Sequence, residues 1–83
     1  MPYIPVKLRR CAIACPLTAG ELNYALTVVC MEYLERKGMS YQAVNEIIGA
    51  MECAKMEFYR RVAAPDENRK CKDNGDVFVL KLD

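Results

Sequence analysis

The spacing of apolar residues predicts a long amphipathic helix over residues 19–37. The helix follows Thr18-Ala19-Gly20-Glu21, a capping box in which the threonine hydroxyl accepts from a main-chain N–H of the first turn and the glutamate reaches back to the cap. Gly38 comes directly after it and supplies the positive φ at which helices commonly stop. The sequence therefore marks both ends of this helix.

A second helix is predicted over residues 41–63. Ser40 is its N-cap, and Pro65 sets its end, because a proline disfavours helical dihedral angles in the residue before it. Only about three residues separate the two predicted helices, and a connection this short favours an antiparallel pair. We therefore expect an all-α fold built on a two-helix hairpin over residues 18–64.

The two ends of the chain differ in character from this centre. Residues 1–17 carry three prolines and three basic side chains without an acidic one, and we expect an N-terminal arm that is mainly extended. Within it, residues 6–15 also fit a short helix or a strand. Residues 65–83 form a polar, turn-rich tail that ends in residues 77–82, which have the composition of a strand. The tail is expected either to pair with the arm or to dock on a partner.

Each predicted helix carries two apolar faces. At 100° per residue, the broader faces consist of Leu22, Leu26, Val29 and Tyr33 on the first helix, and of Val44, Ile47, Ile48, Met51, Ala54, Phe58 and Val62 on the second. The narrower opposite strips consist of Tyr24, Val28 and Met31, and of Gly49, Cys53 and Met56. A hairpin buries one face of each helix, so we expect a homo-oligomer to cover the others. The arm and the tail are the alternative cover.

Gly49 lies in the interior of the second predicted helix. A glycine there costs up to ~1 kcal/mol relative to alanine, because it gains nothing from a side chain and loses more backbone entropy. Its presence indicates that another backbone passes close to the helix at this point.

Composition narrows the range of functions. The 83 residues include 12 Lys+Arg and 11 Asp+Glu, and this near-neutral balance disfavours a general nucleic-acid binder. A nucleic-acid interpretation would rely on the basic residues Lys7, Arg9, Arg10, Arg60 and Arg61. Histidine is absent, which excludes Ser-His-Asp and Cys-His catalysis and histidine metal sites. No glycine-rich nucleotide motif occurs, and we expect neither enzymatic activity nor a cofactor.

The chain is also expected to be cytoplasmic and to make no membrane contact. No stretch approaches the ~20 apolar residues that span a bilayer, and the first residues do not resemble a signal peptide. Five cysteines without a Cys-x-x-Cys pair argue against a disulfide framework. Cys30 and Cys53 are expected to be small buried hydrophobes. Cys11 and Cys15 share one helical face, and the alternative to simple packing is that they bind a metal shared between subunits.

The candidate for chemistry is Tyr59-Arg60-Arg61 near the end of the second predicted helix. Arginine binds phosphate or carboxylate through two parallel hydrogen bonds, and tyrosine offers a ring for stacking. Asparagines are poor helix-interior residues, and we expect those in the helices to be retained for hydrogen bonds. A pocket for a small anionic, ring-bearing ligand, shared between subunits, is predicted from Arg60, Arg61, Tyr59, Tyr24, Asn23 and Asn45. In the alternative, the arginines pair with Glu57 and the tyrosines pack in the core or an interface.

Several short segments form a recognisable pattern. They are Gly20-Glu21-Leu22-Asn23-Tyr24, Ser40-Tyr41-Gln42, Asn45-Glu46-Ile47-Ile48-Gly49-Ala50, Glu52-Cys53-Ala54-Lys55, Tyr59-Arg60-Arg61, Ala64-Pro65 and Asn74-Gly75-Asp76. On these segments the chain resembles a family of short uncharacterised proteins from bacteriophage genomes and related bacterial loci. The resemblance implies a phage-like setting, in which small oligomeric proteins without catalytic residues often act as counter-defence factors.

The expected function combines these observations. The leading hypothesis is a non-enzymatic, self-associating binding protein in the host cytoplasm that sequesters a small phosphorylated, nucleotide-type immune signal. The alternative is an inhibitor or adaptor that binds a host defence protein through the tail or through the second apolar strip.

Overall fold

The computed structural model describes residues 2–78, and every regular element among them is helical. The α-helices are α1 (Arg9–Ala14), α2 (Ala19–Lys37), α3 (Tyr41–Phe58) and α4 (Ala64–Asn74). A 3-10 turn, Val6–Leu8, precedes α1, and a π-helical segment, Tyr59–Ala63, lies between α3 and α4. The all-α prediction is confirmed for the described residues.

The chain divides into two compact units, one ending at Ile48 and the other beginning at Gly49. The first unit contains α1, α2 and the beginning of α3. The second contains the rest of α3, the π-helical segment and α4. The boundary falls inside α3, where the sequence pattern had indicated no break.

The N-terminal arm is largely helical. Of the helix and the strand that the sequence left open for residues 6–15, the structure has the helix. After Pro5, the residues Arg9, Arg10, Ala12 and Ala14 are good helix formers, and they form α1. α1 packs on α2, and its Ala12 is fully buried. The helix ends before Cys15, whose extended φ of −153° suits a residue that precedes Pro16. A small side chain at the contact therefore lets this short helix lie close to α2.

Both predicted ends of α2 are confirmed. The backbone N–H of Glu21 donates to the Thr18 hydroxyl oxygen at 3.1 Å, as a capping box requires. The carboxylate of Glu21 accepts from the same hydroxyl at 3.0 Å. At the other end Gly38 has a φ of +84°, and its N–H donates to the carbonyl of Leu34 at 2.8 Å. Arg36 and Lys37 lie in the last turn, where positive charge opposes the negative end of the helix dipole.

The predicted start of α3 is also confirmed, and a side-chain contact joins α2 to it. The hydroxyl oxygen of Ser40 accepts from the N–H of Ala43 at 3.0 Å, which satisfies one N–H of the first turn. The Tyr33 hydroxyl donates to Glu46 Oε1 at 3.1 Å. Ala43 is buried, whereas most neighbouring residues of α3 are exposed.

The C-terminal half differs most from the prediction, because the helix does not end before Pro65 and most of the expected turn-rich tail is α4. Pro65 lies in the first turn of α4, directly after the π-helical segment. The preceding segment is π-helical, and the N–H of Ala64 donates to the carbonyl of Tyr59, five residues back. This wider turn lets the chain pass a proline without breaking the helical path. The predicted strand at 77–82 lies mostly outside the described residues; Val77 and Phe78 are not in a strand.

Asp66 and Glu67 lie in the first turn of α4, and Gly75 ends the helix with a φ of +93°. Asp66 also pairs with Arg69 three residues later and with Lys70 four residues later, the latter at 3.3 Å. These are the spacings at which side chains meet on one helical face. The segment is therefore a polar helix supported by caps and ion pairs.

The apolar faces predicted to form the core are mostly exposed. Among the described residues, the buried apolar side chains are those of Ala12 and Ala43. Leu22, Leu26 and Val29 of α2 are 51–61% exposed, and Phe58 at the end of α3 is 66% exposed. Cys53, expected to be buried, is exposed as well. A methyl group added at Gly49 would meet no atom within 4 Å, so the close backbone expected there is not supplied by the described chain.

Hydropathy identifies no single helix in residues 2–78 that is both long and apolar enough to cross a bilayer. The segments Val6–Ala14 and Ala19–Lys37 meet the length and composition requirements only as a pair, with a bend of 76° between them.

Candidate functional site

Three charged side chains form a compact cluster at the junction of α3 and the π-helical segment. Arg60 donates from Nη2 to Glu57 Oε1 at 2.8 Å and from Nε to Glu57 Oε2 at 3.3 Å, which is a two-point contact with the carboxylate. Arg61 donates from Nε to Glu57 Oε1. The helix positions all three, because residues three and four apart share one face. Two guanidinium groups therefore hold one carboxylate at a solvent-exposed position.

The charges of this cluster perturb its acid. The hydrogen bonds from Arg61 and then Arg60 hold the pKa of Glu57 below its ordinary value of 4.5. The group is fully ionised at neutral pH, and the three side chains together carry one net positive charge. We call Glu57, Arg60 and Arg61 the Glu57 cluster.

Tyr59 lies beside this cluster in sequence, but its hydroxyl points to another acid. It donates to Glu67 Oε2 at 2.7 Å, so the bond links the π-helical segment to the first turn of α4. This hydrogen bond and the negative charge of Glu67 raise the pKa of Tyr59 above 10.0. About half of the Tyr59 side chain stays exposed, which leaves ring surface accessible to a stacking group.

Tyr24 is in contact with a cation on the N-terminal segment. The guanidinium of Arg9 lies 5.5 Å from the centre of the Tyr24 ring, within the range of a cation–π interaction. Arg9 Nε also donates to the carbonyl of Ile4 at 3.2 Å. The ring that was predicted to stack on a ligand thus has an arginine of the same chain above it.

The two predicted asparagines lie on exposed helix surface. The side-chain oxygen of Asn23 accepts from the Thr27 hydroxyl at 3.4 Å, while that hydroxyl bonds more closely to the Asn23 carbonyl at 2.8 Å. The side chain of Asn45 makes no hydrogen bond within the described part of the chain. Both amides are therefore available to a further partner.

The six predicted residues fall into two groups of three. Asn23, Tyr24 and Asn45 belong to the first unit, and Tyr59, Arg60 and Arg61 belong to the second. Within the second unit the two arginines share one carboxylate, whereas the Tyr59 hydroxyl is held by a different acid. The pairing with Glu57, which sequence spacing allowed as the alternative, is the arrangement present.

Two partner residues were not predicted. The sequence pattern places Glu67 in an irregular tail, where a spacing of eight residues from Tyr59 does not predict a contact. Arg9 stood out only as one of three basic residues in the arm, and nothing in the sequence connected it with Tyr24. Sequence spacing identifies partners within one helix, and both of these contacts join different elements.

A shallow depression lies at the end of α4. It has a volume of about 560 Å³ and is lined by residues on both sides of the helix stop, including Cys71, Asp76 and Phe78. Partial burial, then the nearby charge and hydrogen bond of Asp76, raise the pKa of the Cys71 thiol. Such a thiol is less reactive than an unperturbed one, because the thiolate is the nucleophile.

In residues 2–78, no group of three or more Cys, Asp or Glu side chains is arranged to hold a metal ion. Cys11 and Cys15 are both exposed, and no disulfide joins any of the five cysteines, all of which lie in this range.

These features define a small all-α protein whose candidate site consists of ion pairs and aromatic rings on exposed helices. The chain belongs to the family described as a domain of unknown function, DUF6899, whose model matches residues 1–77. Comparisons with curated proteins and with solved structures find no match.

Proposed function

We propose that this protein is a non-enzymatic, self-associating binding protein for a small phosphorylated ligand of the nucleotide type. The observation that supports it is the Glu57 cluster, in which two adjacent arginines donate several N–H hydrogen bonds to one carboxylate. Phosphate offers the same kind of acceptor with more charge and more oxygens, and arginine is the side chain best suited to bind it at two points.

In this proposal Glu57 occupies the position that the ligand phosphate takes. The carboxylate satisfies both guanidinium groups when no ligand is bound, and an incoming phosphate displaces it. Tyr59 supplies the stacking surface next to the arginines. Tyr24, Asn23 and Asn45 of a second copy complete the site by stacking on the base and reading its edge.

The exposed apolar residues support self-association. Bulky side chains of α2, α3 and the π-helical segment are half exposed or more, and apolar patches of this extent are typical of interaction surfaces. The antiparallel pairing of α2 with α3 belongs to the same proposal. It is supported by the short connection through Gly38 and by the hydrogen bond from Tyr33 to Glu46.

Calorimetric titration with a panel of cyclic and ADP-ribose-type nucleotides tests the binding site. We expect at least one nucleotide to bind and the Arg60→Ala, Arg61→Ala double variant to lose the signal. Glu57→Gln should bind more tightly than the natural protein, because the competing charge is gone while the fold loses no buried contact.

The second unit contains a matched control. Asp66 pairs with Arg69 and Lys70 at the same spacings on α4, so Arg69→Ala, Lys70→Ala removes an equivalent pair of cations. We expect this variant to keep the nucleotide affinity. An absence of heat across the whole panel, or an equal loss in the control variant, would contradict the proposal.

The resemblance to phage-encoded proteins gives the proposal a biological context. In an infected cell, a protein that binds a nucleotide signal without converting it lowers the concentration available to the host receptor. This role needs no catalytic group, only affinity and abundance.

A second candidate function is supported by the exposed aromatic residue at the end of the described chain. Phe78 and Val77 are both more than four-fifths exposed, and their position after α4 suits an anchor that inserts into a host protein. Deletion of residues 77–83 should then abolish binding to that host protein while nucleotide binding is unchanged. Loss of nucleotide binding in the deletion variant, with the protein contact intact, would reject this alternative.

A further inference from the structure

The N-terminal segment has a surface chemistry unlike the rest of the chain. Residues 2–20 contain Lys7, Arg9 and Arg10 and no acidic side chain. The same segment exposes several bulky apolar residues: Tyr3, Val6 and Leu17, each more than three-quarters exposed, and Ile13 and Leu8, each close to half exposed. Basic and bulky apolar side chains are thus both exposed along this one segment.

The fold leaves two of the three cations available. Arg9 is held by the Ile4 carbonyl and by the Tyr24 ring. Lys7 and Arg10 have no partner among the described residues. On a helical wheel both lie opposite Ala12, whose buried side chain marks the side that faces α2. Lys7 and Arg10 are therefore exposed on the side of the segment that faces away from α2.

We infer that this segment docks on the surface of an anionic lipid bilayer. Lysine and arginine interact favourably with anionic headgroups, and adjacent apolar side chains insert at the boundary between headgroups and acyl chains. The exposed Tyr3, Val6 and Leu17 supply such side chains, and the absence of any acid from residues 2–20 removes repulsion from the lipid. The contact is interfacial and requires no membrane-spanning helix, and in this respect the inference departs from the sequence-based expectation of no membrane contact.

Two other occupants fit this surface less well. A second copy that meets it through the same segment would bring two basic surfaces, each with Lys7 and Arg10, close together, because such a contact uses the same patch of both copies. RNA would match the two cations, but the aliphatic Val6 and Leu17 have no function against phosphates. The combination of charge and aliphatic surface favours lipid.

Co-sedimentation of the full chain with lipid vesicles tests the inference. We expect binding to vesicles that contain one-third phosphatidylglycerol, weaker binding at higher salt, and little binding to pure phosphatidylcholine. Lys7→Gln, Arg10→Gln should bind the anionic vesicles roughly 10–30-fold more weakly, since each cation near such a surface contributes to the affinity. Val6→Ser, Leu17→Ser should weaken binding as well, because the inserted aliphatic surface is lost.

A matched control separates a specific surface from net charge. Arg36 and Lys72 are exposed residues without a partner in the described chain, so Arg36→Gln, Lys72→Gln removes the same charge elsewhere. This variant should bind anionic vesicles as the natural protein does. The inference is overturned by equal weakening in the control, by equal binding to phosphatidylcholine, by failure to sediment, or by single-stranded RNA that binds and displaces the vesicles.

Discussion

Among single residues, Glu57 shows how local spacing determines chemistry. Two guanidinium groups converge on it because they follow at three and four residues along a helical path. An exposed pair of this kind contributes little to stability, because water and salt screen it. Its relevance is that it holds the N–H donors of both arginines in positions from which they can bind an anion.

The lowered pKa of Glu57 leads to the first prediction. Replacing both arginines, as Arg60→Gln, Arg61→Gln, should return the pKa of Glu57 to about its ordinary value of 4.5, as followed by NMR titration of the carboxyl group. Because the pKa of Glu57 is lower in the folded than in the unfolded chain, its ion pairs with the two arginines stabilise the protein at pH values above 4.5. That contribution is lost as the pH falls through the lowered pKa. An unchanged pKa in the double variant would show that the arginines do not contact Glu57 in solution.

Tyr59 provides a second prediction with the opposite sign. Glu67→Gln should lower the pKa of Tyr59 toward 10.0, because the negative charge and the acceptor that hold the phenolic proton are weakened. Because the pKa of Tyr59 is raised in the folded state, the hydrogen bond stabilises the protein fully below pH 10, and this contribution is lost as the pH rises through the raised pKa. NMR of labelled tyrosine rings distinguishes Tyr59 from the other four. The control Asp66→Asn should leave the Tyr59 titration in place.

At the scale of elements, the helix ends follow from short sequence signals. Thr18, Gly38 and Ser40 act as predicted because each needs only neighbours within four residues. α4 was missed although its signals are present: a proline in the first turn, Asp66 and Glu67 after it, and Gly75 at the end. These signals did not lead to a helix prediction, because a proline disfavours the helical conformation of the residue before it. The π-helical segment lets the helix continue past Pro65.

The capping box of α2 supplies a prediction for this scale. Thr18→Ala should lower the free energy of unfolding by about 1 kcal/mol, because the N–H of Glu21 loses its acceptor. Thr27→Ala is the matched control, since Thr27 lies inside the same helix and its hydroxyl only bonds back to the preceding turn. That control should be neutral or slightly stabilising. Urea denaturation measures both, and equal effects would contradict the cap.

Two glycines give a prediction in which the same substitution has opposite effects. Gly38→Ala should destabilise the protein by roughly 1 kcal/mol, because alanine is strained at a φ of +84°. Gly49→Ala should stabilise it by up to about 1 kcal/mol, since the position is helical and the added methyl group meets no atom. Thermal and urea unfolding of both variants tests the pair. A loss of stability at Gly49 would indicate a neighbouring chain at that point.

At the scale of the whole molecule, exposed apolar surface is the dominant feature. A chain of 83 residues normally hides its large side chains, yet the buried apolar residues of the described part are two alanines. Water contact with so much apolar surface is unfavourable at ~25 cal/mol per Å², which gives association a strong driving force. The exposed apolar faces of the helices are thus more informative about association than any single charged residue.

This surface leads to the last prediction, on association. Sedimentation equilibrium should show a mass that rises with concentration in the micromolar range. Val29→Glu should raise the dissociation constant at least about tenfold, since a charge in an apolar interface is costly, while its 61% exposure in the single chain keeps the fold intact. Gln42→Glu adds the same charge at an exposed polar position and should have no effect. A natural protein that stays monomeric would reject the proposed oligomer.

Local sequence signals were enough to predict the helical class, both ends of α2 and the start of α3, because caps, glycine stops and ion pairs depend on residues within one or two turns. Contacts between elements account for the features that no local pattern contains. The tertiary structure folded the arm into α1 on α2, placed Arg9 over Tyr24, passed Pro65 through a π-helical segment, and left the predicted core faces exposed. Periodicity reports that a helix face is apolar, but the surface that covers it is set by contacts between elements far apart in the chain.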